Sequence, residues 1–153
     1  MPVHLAGRLT RRTHAVGDNC PIARALNVVG TRSAMLLMRE AYYGTTRFDD
    51  FANLVGITEA VAAKRLKELV NAGLLTRRPY REPGQRTRNE YVLTESGTDL
   101  MPAIFALGQW GDKHVPREDS PRFTHLDCGE PVRVEMRCTA GHKVSPEALV
   151  VTG

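Results

Sequence analysis

Residues 57–91 read ITEAVAAKRLKELVNAGLLTRRPYREPGQRTRNEY, and this stretch decides the fold. Apolar residues recur at helical spacing as far as Asn71, and Gly73 follows where such a helix would end. Two β-prone segments come next, separated by a Pro-Gly turn crowded with arginines. A helix followed by a basic hairpin is the outline of a winged helix, which predicts DNA binding.

The charge of the chain favours a polyanionic partner such as double-stranded DNA. Lys and Arg number 21 against 17 Asp and Glu, which gives a formal net charge of +4. Much of the excess falls in residues 77–88, where Glu82 is the one acid. The basic residues of this segment are Arg77, Arg78, Arg81, Arg86 and Arg88. Clustering of this kind is typical of nucleic-acid binding. The alternative is a solvated helix face in a protein-binding winged helix.

The composition argues against a membrane protein or a secreted protein. No run of about 18 apolar residues occurs, so we expect no transmembrane helix. The basic N-terminus is not followed by the apolar segment of a secretory signal. Three cysteines are an odd number and too few for a disulfide framework, which indicates the reducing cytoplasm.

Changes in pattern divide the chain into four segments. Residues 1–18 show no periodicity and are expected to form a flexible basic arm. Residues 19–114 carry the helical and hairpin patterns of a DNA-binding and dimerisation domain. Residues 115–122 resemble a linker with two prolines, and residues 123–153 a small ribbon-like tail in which VRVEMR alternates as a strand does.

The predicted fold class follows from these segments. It is mainly α with a small β-wing (α+β), a winged helix-turn-helix with dimerising N- and C-terminal helices and a short β-rich tail. Pro21 suits the first position of the first helix, which Gly30 ends. A Gly56-Ile57-Thr58 turn, with Thr58 as N-cap, leads into the recognition helix. TTRF (45–48) is β-prone and is a candidate third strand beside the wing.

The last helix carries more apolar surface than a helix at the edge of a small domain usually buries alone. The last helix is expected to be one long helix after the cap Thr94, and Pro102 should kink it or mark its first turn. A second copy of the chain is the natural cover, so we expect a homodimer; packing of the last helix on the first within one domain is the alternative. On this helix the expected interface residues are Ile104, Leu107 and Trp110.

The outward face of the recognition helix predicts how bases are contacted in the major groove. Lys64 can donate to guanine O6 and N7, and Glu59 can accept from cytosine N4. Small alanines let the helix sit deep and contact thymine methyl groups. Arg65 lies toward the flank, where a phosphate contact and an internal ion pair are equally open. The residues predicted to contact DNA are Thr58, Glu59, Ala60, Ala63, Lys64, Arg65 and Lys67, with Arg86 and Arg88 of the wing positioning the protein on the backbone or the minor groove.

Six pieces of the chain occur together in a fixed order: CPIARALNVVG, LLMREAYYGTTRFDDF, GITEAVAAKRLKELVNAGLL, the Arg-rich wing, YVLTESG and ALGQWGDKH. As a set they resemble the HxlR family of bacterial transcriptional regulators. The resemblance covers residues 19–114 and is closest to a subgroup with a short Cys/His tail. It implies a winged-helix homodimer that binds a palindromic operator and whose first and last helices pair between subunits, so Ile22 and Leu26 of the first helix join the expected interface. The family usually has a tryptophan early in the second helix, where this chain has Ser33.

Cys20 is a candidate sensor thiol. It precedes Pro21 at a helix N-terminus, where the macrodipole and the free N–H groups favour a thiolate over a thiol. The resemblance implies the same role, because some relatives use a cysteine in this Cys-Pro position to sense oxidants or electrophiles. A small cap or a buried apolar side chain is the alternative for Cys20.

The tail carries two pairs of metal-binding side chains, His125-x2-Cys128 and Cys138-x3-His142. Sulfur and imidazole in two close pairs suit tetrahedral zinc. Tails in the subgroup that this chain resembles often carry a second Cys-x2-Cys pair, and Gly141 stands here where its last cysteine would be expected. Either these four residues bind zinc, with His142 as the substitute ligand, or the ribbon folds without metal and no cofactor is required.

Catalysis finds little support in the sequence, which has no Gly-rich phosphate loop, nucleophile elbow or His-Glu-x-x-His helix. We therefore expect a cytoplasmic, sequence-specific DNA-binding regulator and not an enzyme. It would repress transcription as a homodimer on a palindromic operator and respond to a small-molecule effector or a thiol-reactive signal. One alternative is a winged-helix module that binds a protein or a ligand without operator specificity. The other is a metal-dependent enzyme that uses the Cys/His tail.

Overall fold

The computed structural model describes residues 3–11 and 16–153. Contacts between residues divide them into two units. One unit is Asp18–Phe105, and the other combines the described residues before Asp18 with Ala106–Gly153. The elements in chain order are β1 (His4–Ala6), a 3-10 helix (Gly7–Thr10), α1 (Pro21–Val29), α2 (Arg32–Tyr42), α3 (Phe48–Val55), α4 (Glu59–Asn71), β2 (Leu75–Tyr80), β3 (Arg88–Leu93), α5 (Glu95–Asp99), α6 (Met101–His114), a second 3-10 helix (Pro146–Ala148) and β4 (Val150–Thr152).

The core of the Asp18–Phe105 unit lies where α2, α3 and α4 meet the β2–β3 hairpin. Helix α2 is central because its apolar side chains cover most of its surface, as its sequence indicates. Phe51 of α3 meets Tyr91 of β3 edge to face, with ring centroids 6.1 Å apart. The largest fully buried side chains are Leu37, Met38, Phe51, Leu66, Leu69 and Leu75. The recognition helix α4 is therefore anchored by one apolar stripe, which leaves its opposite face exposed.

Capping residues fix where the helices begin and end. The hydroxyl oxygens of Thr31, Thr58 and Thr94 each accept the backbone N–H three residues further on. Gly56 ends α3 with φ of 68°, and Gly73 follows α4 with φ of 76°, values that other residues rarely adopt. The turn and the caps predicted at Gly56, Thr58 and Thr94 are thus confirmed.

The wing is an antiparallel hairpin of β2 and β3. Leu75 pairs with Leu93 at its base, and Tyr80 pairs with Arg88 next to the connecting loop. The third strand considered for TTRF (45–48) is wrong. Phe48 already belongs to α3, and a single backbone hydrogen bond of 2.8 Å joins this segment to β3. One such bond does not make a ladder, because the next residue turns to start α3.

The C-terminal helical region is broken, contrary to the expectation of one long helix. Helix α5 ends at Asp99 and α6 begins at Met101. Pro102 explains the break, because its ring would clash with the carbonyl of Thr98 and it has no N–H to continue the ladder. The proline lies in the first turn of α6, the second of its two predicted positions. The Tyr42 hydroxyl donates to Gly97 O at 2.7 Å and so ties α2 to α5, while burial raises the pKa of Tyr42 to about 12.

The N-terminal residues of the second unit form a strand, contrary to the predicted flexible arm. His4–Ala6 form β1, which pairs in parallel with β4 near the C-terminus. The backbone N–H of Arg8 also donates to Gly153 O at 3.3 Å. The start of the arm is ordered because the C-terminal strand supplies partners for its backbone groups, and the sequence of the arm does not reveal that distant partner. Residues 1, 2 and 12–15 of the predicted arm lie outside the described residues.

The tail also differs from the sequence expectation. VRVEMR does not form a strand, and Thr124–Pro131 and Arg137–Lys143 are isolated bridges. Val132 N–H donates to Phe123 O, whereas Val134 N–H donates to the side chain of Gln109 in α6. Because successive backbone groups bond to different segments, no continuous ladder develops. The predicted boundary at 114/115 likewise differs from the division at Phe105/Ala106, since the end of α6 contacts the tail.

No helix in the described part of the chain is long and apolar enough to cross a membrane.

Candidate nucleic-acid interface

The exposed face of α4 carries two cations that are available to a ligand. Lys64 and Lys67 are exposed, and neither has an ion pair or a hydrogen bond to another described residue. Glu59, Ala60 and Ala63 are exposed around them. This surface combines two mobile donors, one acceptor and small side chains, a mixture that can approach base edges closely.

Two of the predicted contact residues on α4 are already engaged within the helix. The Thr58 hydroxyl accepts the Val61 N–H at 3.3 Å, so its oxygen serves as a cap. Arg65 Nη1 lies 2.6 Å from Glu68 Oε2, and Arg65 Nε is buried without an acceptor among the described residues. Of the two options open for Arg65, the internal ion pair is the one present.

The wing arginines differ strongly in how far they are engaged. Arg78 Nε donates to Glu90 Oε1 at 2.7 Å, and this hydrogen bond is the main reason that the pKa of Glu90 lies below its usual value. Arg81 Nε donates to Gln85 O at 3.2 Å and so braces the loop. Arg86 at the loop end has no ion pair or hydrogen bond in the part of the chain that is described.

Arg88, the other predicted wing contact, has an acidic neighbour on α3. Its Nη1 lies 3.9 Å from Asp49 Oδ2, and both side chains are largely exposed. Such a pair is weak and screened by salt, so Arg88 can exchange the carboxylate for a phosphate. Arg86 and Arg88, which are equivalent in the sequence prediction, therefore differ in the structure. Arg88 has an acidic partner, and Arg86 has none among the described residues.

Arg47 contributes to this surface but was not among the residues singled out from the sequence. Its guanidinium carbon lies 3.1 Å from the centroid of the Tyr80 ring, and its Nη2 lies 3.7 Å from Glu82 Oε1. Both partners belong to the wing, whereas Arg47 is the N-cap residue of α3. No local sequence pattern announces this contact, because the partners are distant in the chain.

Cys20 is the N-cap residue of α1, as its position before Pro21 predicts. The thiol is half-buried and makes no side-chain capping bond. Arg24 N–H donates to the Cys20 carbonyl at 3.1 Å, which starts the helix. The three cysteines, Cys20, Cys128 and Cys138, are all unpaired.

The apolar residues proposed for a dimer interface are mostly uncovered in the single chain. Ile22 is 71% exposed and Leu26 53% exposed on α1, and Leu107 and Trp110 of α6 are exposed as well. Ile104 differs, because it is half-buried against the core of its own unit. Ser33, at the position where the HxlR family usually has tryptophan, is half-buried with its hydroxyl 3.4 Å from that of Thr31.

The tail presents its candidate metal ligands on two tight turns. His125 Nδ1 lies 3.3 Å from Cys128 Sγ, about the separation of two ligands on one tetrahedral zinc ion. The other turn is closed by a hydrogen bond of 3.0 Å from Cys138 N–H to His142 O. Among the described residues, however, no group of three or more His, Cys, Asp or Glu side chains is placed to hold a metal ion. The side-chain donors of the first turn thus lie as two ligands of one zinc ion would, but the described structure does not bring all four candidate ligands together.

The second turn has polar contacts that close it without a metal. Arg137 Nη1 donates to Gly141 O at 2.9 Å, and Lys143 Nζ lies 2.9 Å from Glu135 Oε2. Hydrogen bonds from Lys143, and then from Arg137, lower the pKa of Glu135. These three side chains therefore hold the second turn closed.

Comparisons with known proteins agree with this architecture. The HxlR-like helix-turn-helix family model matches residues 28–119. An uncharacterized HTH-type transcriptional regulator of Mycobacterium tuberculosis, Rv3095, is 42% identical over 120 residues, which cover 77% of this chain and 75% of the relative. The crystal structure of PA1607, a candidate transcription factor, is 34% identical with a TM-score of 0.76 and covers 88% of this chain and 94% of its own. The reduced form of the redox regulator HypR is 28% identical with a TM-score of 0.56, over 63% of this chain and 96% of its own.

Proposed function

Because the chain belongs to the HxlR-like helix-turn-helix family of transcriptional regulators, which are not enzymes, we propose that it represses transcription as a homodimer bound to a palindromic operator. The observation that carries this proposal is the exposed face of α4, where Lys64 and Lys67 have no partner in the described chain. A regulator must reach chromosomal DNA, so the proposed location is the cytoplasm.

The proposed base contacts come from the first two turns of α4. Lys64 donates to guanine O6 and N7, Glu59 accepts from cytosine N4, and Lys67 extends the positive surface along the groove. Ala60 and Ala63 pack against thymine methyl groups. Thr58 contributes mainly by holding the helix N-terminus, whose exposed N–H groups favour a phosphate oxygen. Arg65 remains a proposed flank contact, which requires it to leave Glu68.

The wing supplies affinity that is independent of sequence. Arg86 and Arg88 are proposed to contact the phosphate backbone or the adjacent minor groove. Because each phosphate contact releases counterions, the affinity of such a protein falls steeply with salt.

The homodimer is proposed from the exposed apolar faces of α1 and α6. Their most exposed members, Ile22, Leu26, Leu107 and Trp110, lose contact with water if a second copy covers them. Symmetry then places two recognition helices about 34 Å apart, one turn of B-DNA. Sedimentation of the intact chain tests this: Leu26→Glu should give a monomer, whereas the exposed Leu54→Glu on α3 should not. A monomeric wild-type chain at micromolar concentration would exclude the dimer.

Operator binding is tested by selecting bound genomic fragments and then measuring band shifts at increasing salt. We expect one palindromic motif, with half-sites about 10 base pairs apart, and a linear loss of log affinity with log salt. Lys64→Ala should weaken binding to the selected motif, while Lys113→Ala at the end of α6 makes the same charge change as a control. Equal affinity for every fragment would favour a winged-helix module without operator specificity.

Cys20 is the proposed site of a thiol-reactive signal. Its position as N-cap of α1 supports this, together with the likeness to HypR, which is a redox regulator. We expect oxidant or electrophile to release the operator from the wild-type protein but not from Cys20→Ser, with Cys138→Ser as the matched control. Release that persists in Cys20→Ser would remove Cys20 as the sensor. A small-molecule effector is the remaining proposed signal, and the loss of operator binding on adding host metabolites would detect it.

We propose separately that the tail binds zinc. The contact between His125 and Cys128 supports this, as does the position of each candidate pair on a tight turn closed by a backbone hydrogen bond. Zinc binding would require the Cys138–His142 turn to approach the His125–Cys128 turn. Metal analysis of the purified protein should then give one zinc per chain, and none in Cys128→Ser. A metal-free wild-type protein whose tail remains folded would establish the ribbon without metal.

A further inference from the structure

Several contacts join the start of α3 and the residues just before it to the wing. Thr46 O accepts the Tyr91 N–H at 2.8 Å, and Asp49 lies 3.9 Å from Arg88. Two further contacts come from Arg47. Its guanidinium lies over the Tyr80 ring, and Nη2 lies 3.7 Å from Glu82.

Arg47 contacts both the last residue of β2, Tyr80, and the start of the wing loop at Glu82. Stacking on Tyr80 fixes the plane of the guanidinium, and the Glu82 carboxylate fixes its direction. Its charge also contributes, after the stronger effects of Arg78 and Thr46, to the lowered pKa of Glu90 on β3. A single side chain thus acts on the end of one strand, on the loop and on the second strand.

The β2–β3 ladder runs the length of the wing, but only the base of the wing packs on the core. Leu75 at the base is fully buried, whereas residues 81–89 are exposed throughout. A two-stranded ribbon of this kind twists and bends readily. Contacts at Tyr80 and Glu82 therefore decide where the loop with Arg86 lies relative to α4.

We propose that Arg47 positions the wing, and thereby sets the reach of Arg86 to DNA. This inference rests on the proposed operator binding. Arg47 is a positioning residue here, because its partners are wing residues. Its Nη1 is buried without an acceptor among the described residues, so that this atom is not offered to a phosphate.

A double-mutant cycle on operator binding tests the proposal. Arg86→Ala should weaken binding about tenfold and, with two wings per dimer, lower the salt slope by about 2. Arg47→Ala should do the same, and the double variant should be no weaker than either single one. Arg47→Lys keeps the charge without the planar stack and should resemble Arg47→Ala. Arg32→Ala removes an exposed charge that has no partner among the described residues, and it should leave affinity within twofold.

Hydrogen exchange at the Tyr91 N–H tests the same proposal without DNA. This amide points away from the hairpin ladder to Thr46, so its protection reports how firmly the wing is held against the start of α3. We expect Arg47→Ala and Tyr80→Leu to speed its exchange at least tenfold, with no change in the exchange of the α4 amides. Arg32→Ala should leave it unchanged.

The possible results separate this inference from the proposed function. If the double variant loses affinity by the product of the losses in Arg47→Ala and Arg86→Ala, the two residues act independently. That result would overturn the positioning role of Arg47 and leave the proposed operator binding intact. If Arg86→Ala has no effect, the Arg86 contact of the proposed function is overturned, and with it the claim that Arg47 sets the reach of Arg86. The exchange of the Tyr91 N–H then decides whether Arg47 positions the wing. Unchanged Tyr91 exchange in Arg47→Ala overturns the inference in every case.

Discussion

The recognition helix α4 and the wing present positive charge in different ways. Lys64 and Lys67 on α4 have no partner in the described chain, and the helix beneath them is held by its buried leucines. The wing carries more cations, but Arg78 is bound to Glu90 and Arg81 to the loop backbone. Arg78 and Arg81 therefore stabilise the hairpin, whereas the lysines of α4 are available to a ligand.

This difference shows that the number of basic residues overstates the charge that the wing offers to DNA. A charge on a thin hairpin with little apolar core also has to stabilise the hairpin. A charge on a helix anchored by an apolar stripe does not. The comparison predicts that the stability of α4 depends on packing and that of the wing on ion pairs.

The largest effect is expected from a substitution that removes packing beneath α4. Leu66 is fully buried, so Leu66→Ala should lower the free energy of unfolding by about 2–5 kcal/mol through lost burial and a residual cavity. Urea unfolding followed by circular dichroism measures this loss. The exposed Leu54→Ala on α3 provides the control and should change stability by less than about 1 kcal/mol. Equal losses in the two variants would contradict the packing difference.

The next effect concerns the free cations of α4. Lys64→Ala should cost about 1–3 kcal/mol per half-site in binding to the selected operator and little in binding to unrelated DNA. Removing a wing arginine such as Arg86 should instead weaken binding to both kinds of DNA alike. Paired titrations on operator and scrambled DNA distinguish these outcomes. If Lys64→Ala weakens both equally, α4 does not read bases through this residue.

A smaller effect tests the exchange of Arg88 between Asp49 and DNA. Asp49→Asn frees Arg88 and removes a negative charge near the wing, so operator affinity should rise about threefold at low salt and less at high salt. Asp50→Asn makes the same charge change in the same turn of α3 and serves as the control. Affinity that rises equally in both variants would indicate general electrostatics and no specific competition by Asp49.

The smallest effect is the pH dependence of the wing. The pKa of Glu90 is lowered in the folded protein, first by the hydrogen bond from Arg78. A lowered carboxyl pKa gives stability that is present above the unfolded value and is lost as pH falls through the folded value. The melting temperature of the wild type should therefore exceed that of Arg78→Ala at pH 6, and the difference should shrink below about pH 4.5 as Glu90 is protonated. A difference that is constant over this range would contradict a stabilising Arg78–Glu90 pair.

Much of the winged core could be predicted because its signals are local. Apolar spacing, threonine caps and the glycines at 56 and 73 act within a turn or two of their own positions, and they locate α4 and the hairpin correctly. The prediction of a strand at TTRF was wrong because Phe48 is the first residue of α3. The prediction of a single final helix was wrong, although Pro102 indicates an interruption there. The sequence does not decide whether such a proline kinks a helix or divides it into two.

The tail was harder to predict because its backbone partners are remote. VRVEMR alternates like a strand, yet its bonds go in turn to Phe123 and to the Gln109 side chain. The strand near His4 finds its partner at Val150, almost the whole chain away. Neither pairing has a local cause, so neither could be read from periodicity.

By itself, the sequence determined the kinds of element, their order and the residue types that face outward from α4, because helix periodicity and capping are short-range effects. Only the tertiary structure decided which cations are free. It pairs Arg65 with Glu68, Arg78 with Glu90 and Arg88 with Asp49, and it leaves Lys64, Lys67 and Arg86 without partners in the described chain. It also placed Arg47 against the wing. The physical reason is that an ion pair depends on distances of a few ångströms between side chains, and for Arg78, Arg88 and Arg47 the fold brings together residues that are far apart in the chain.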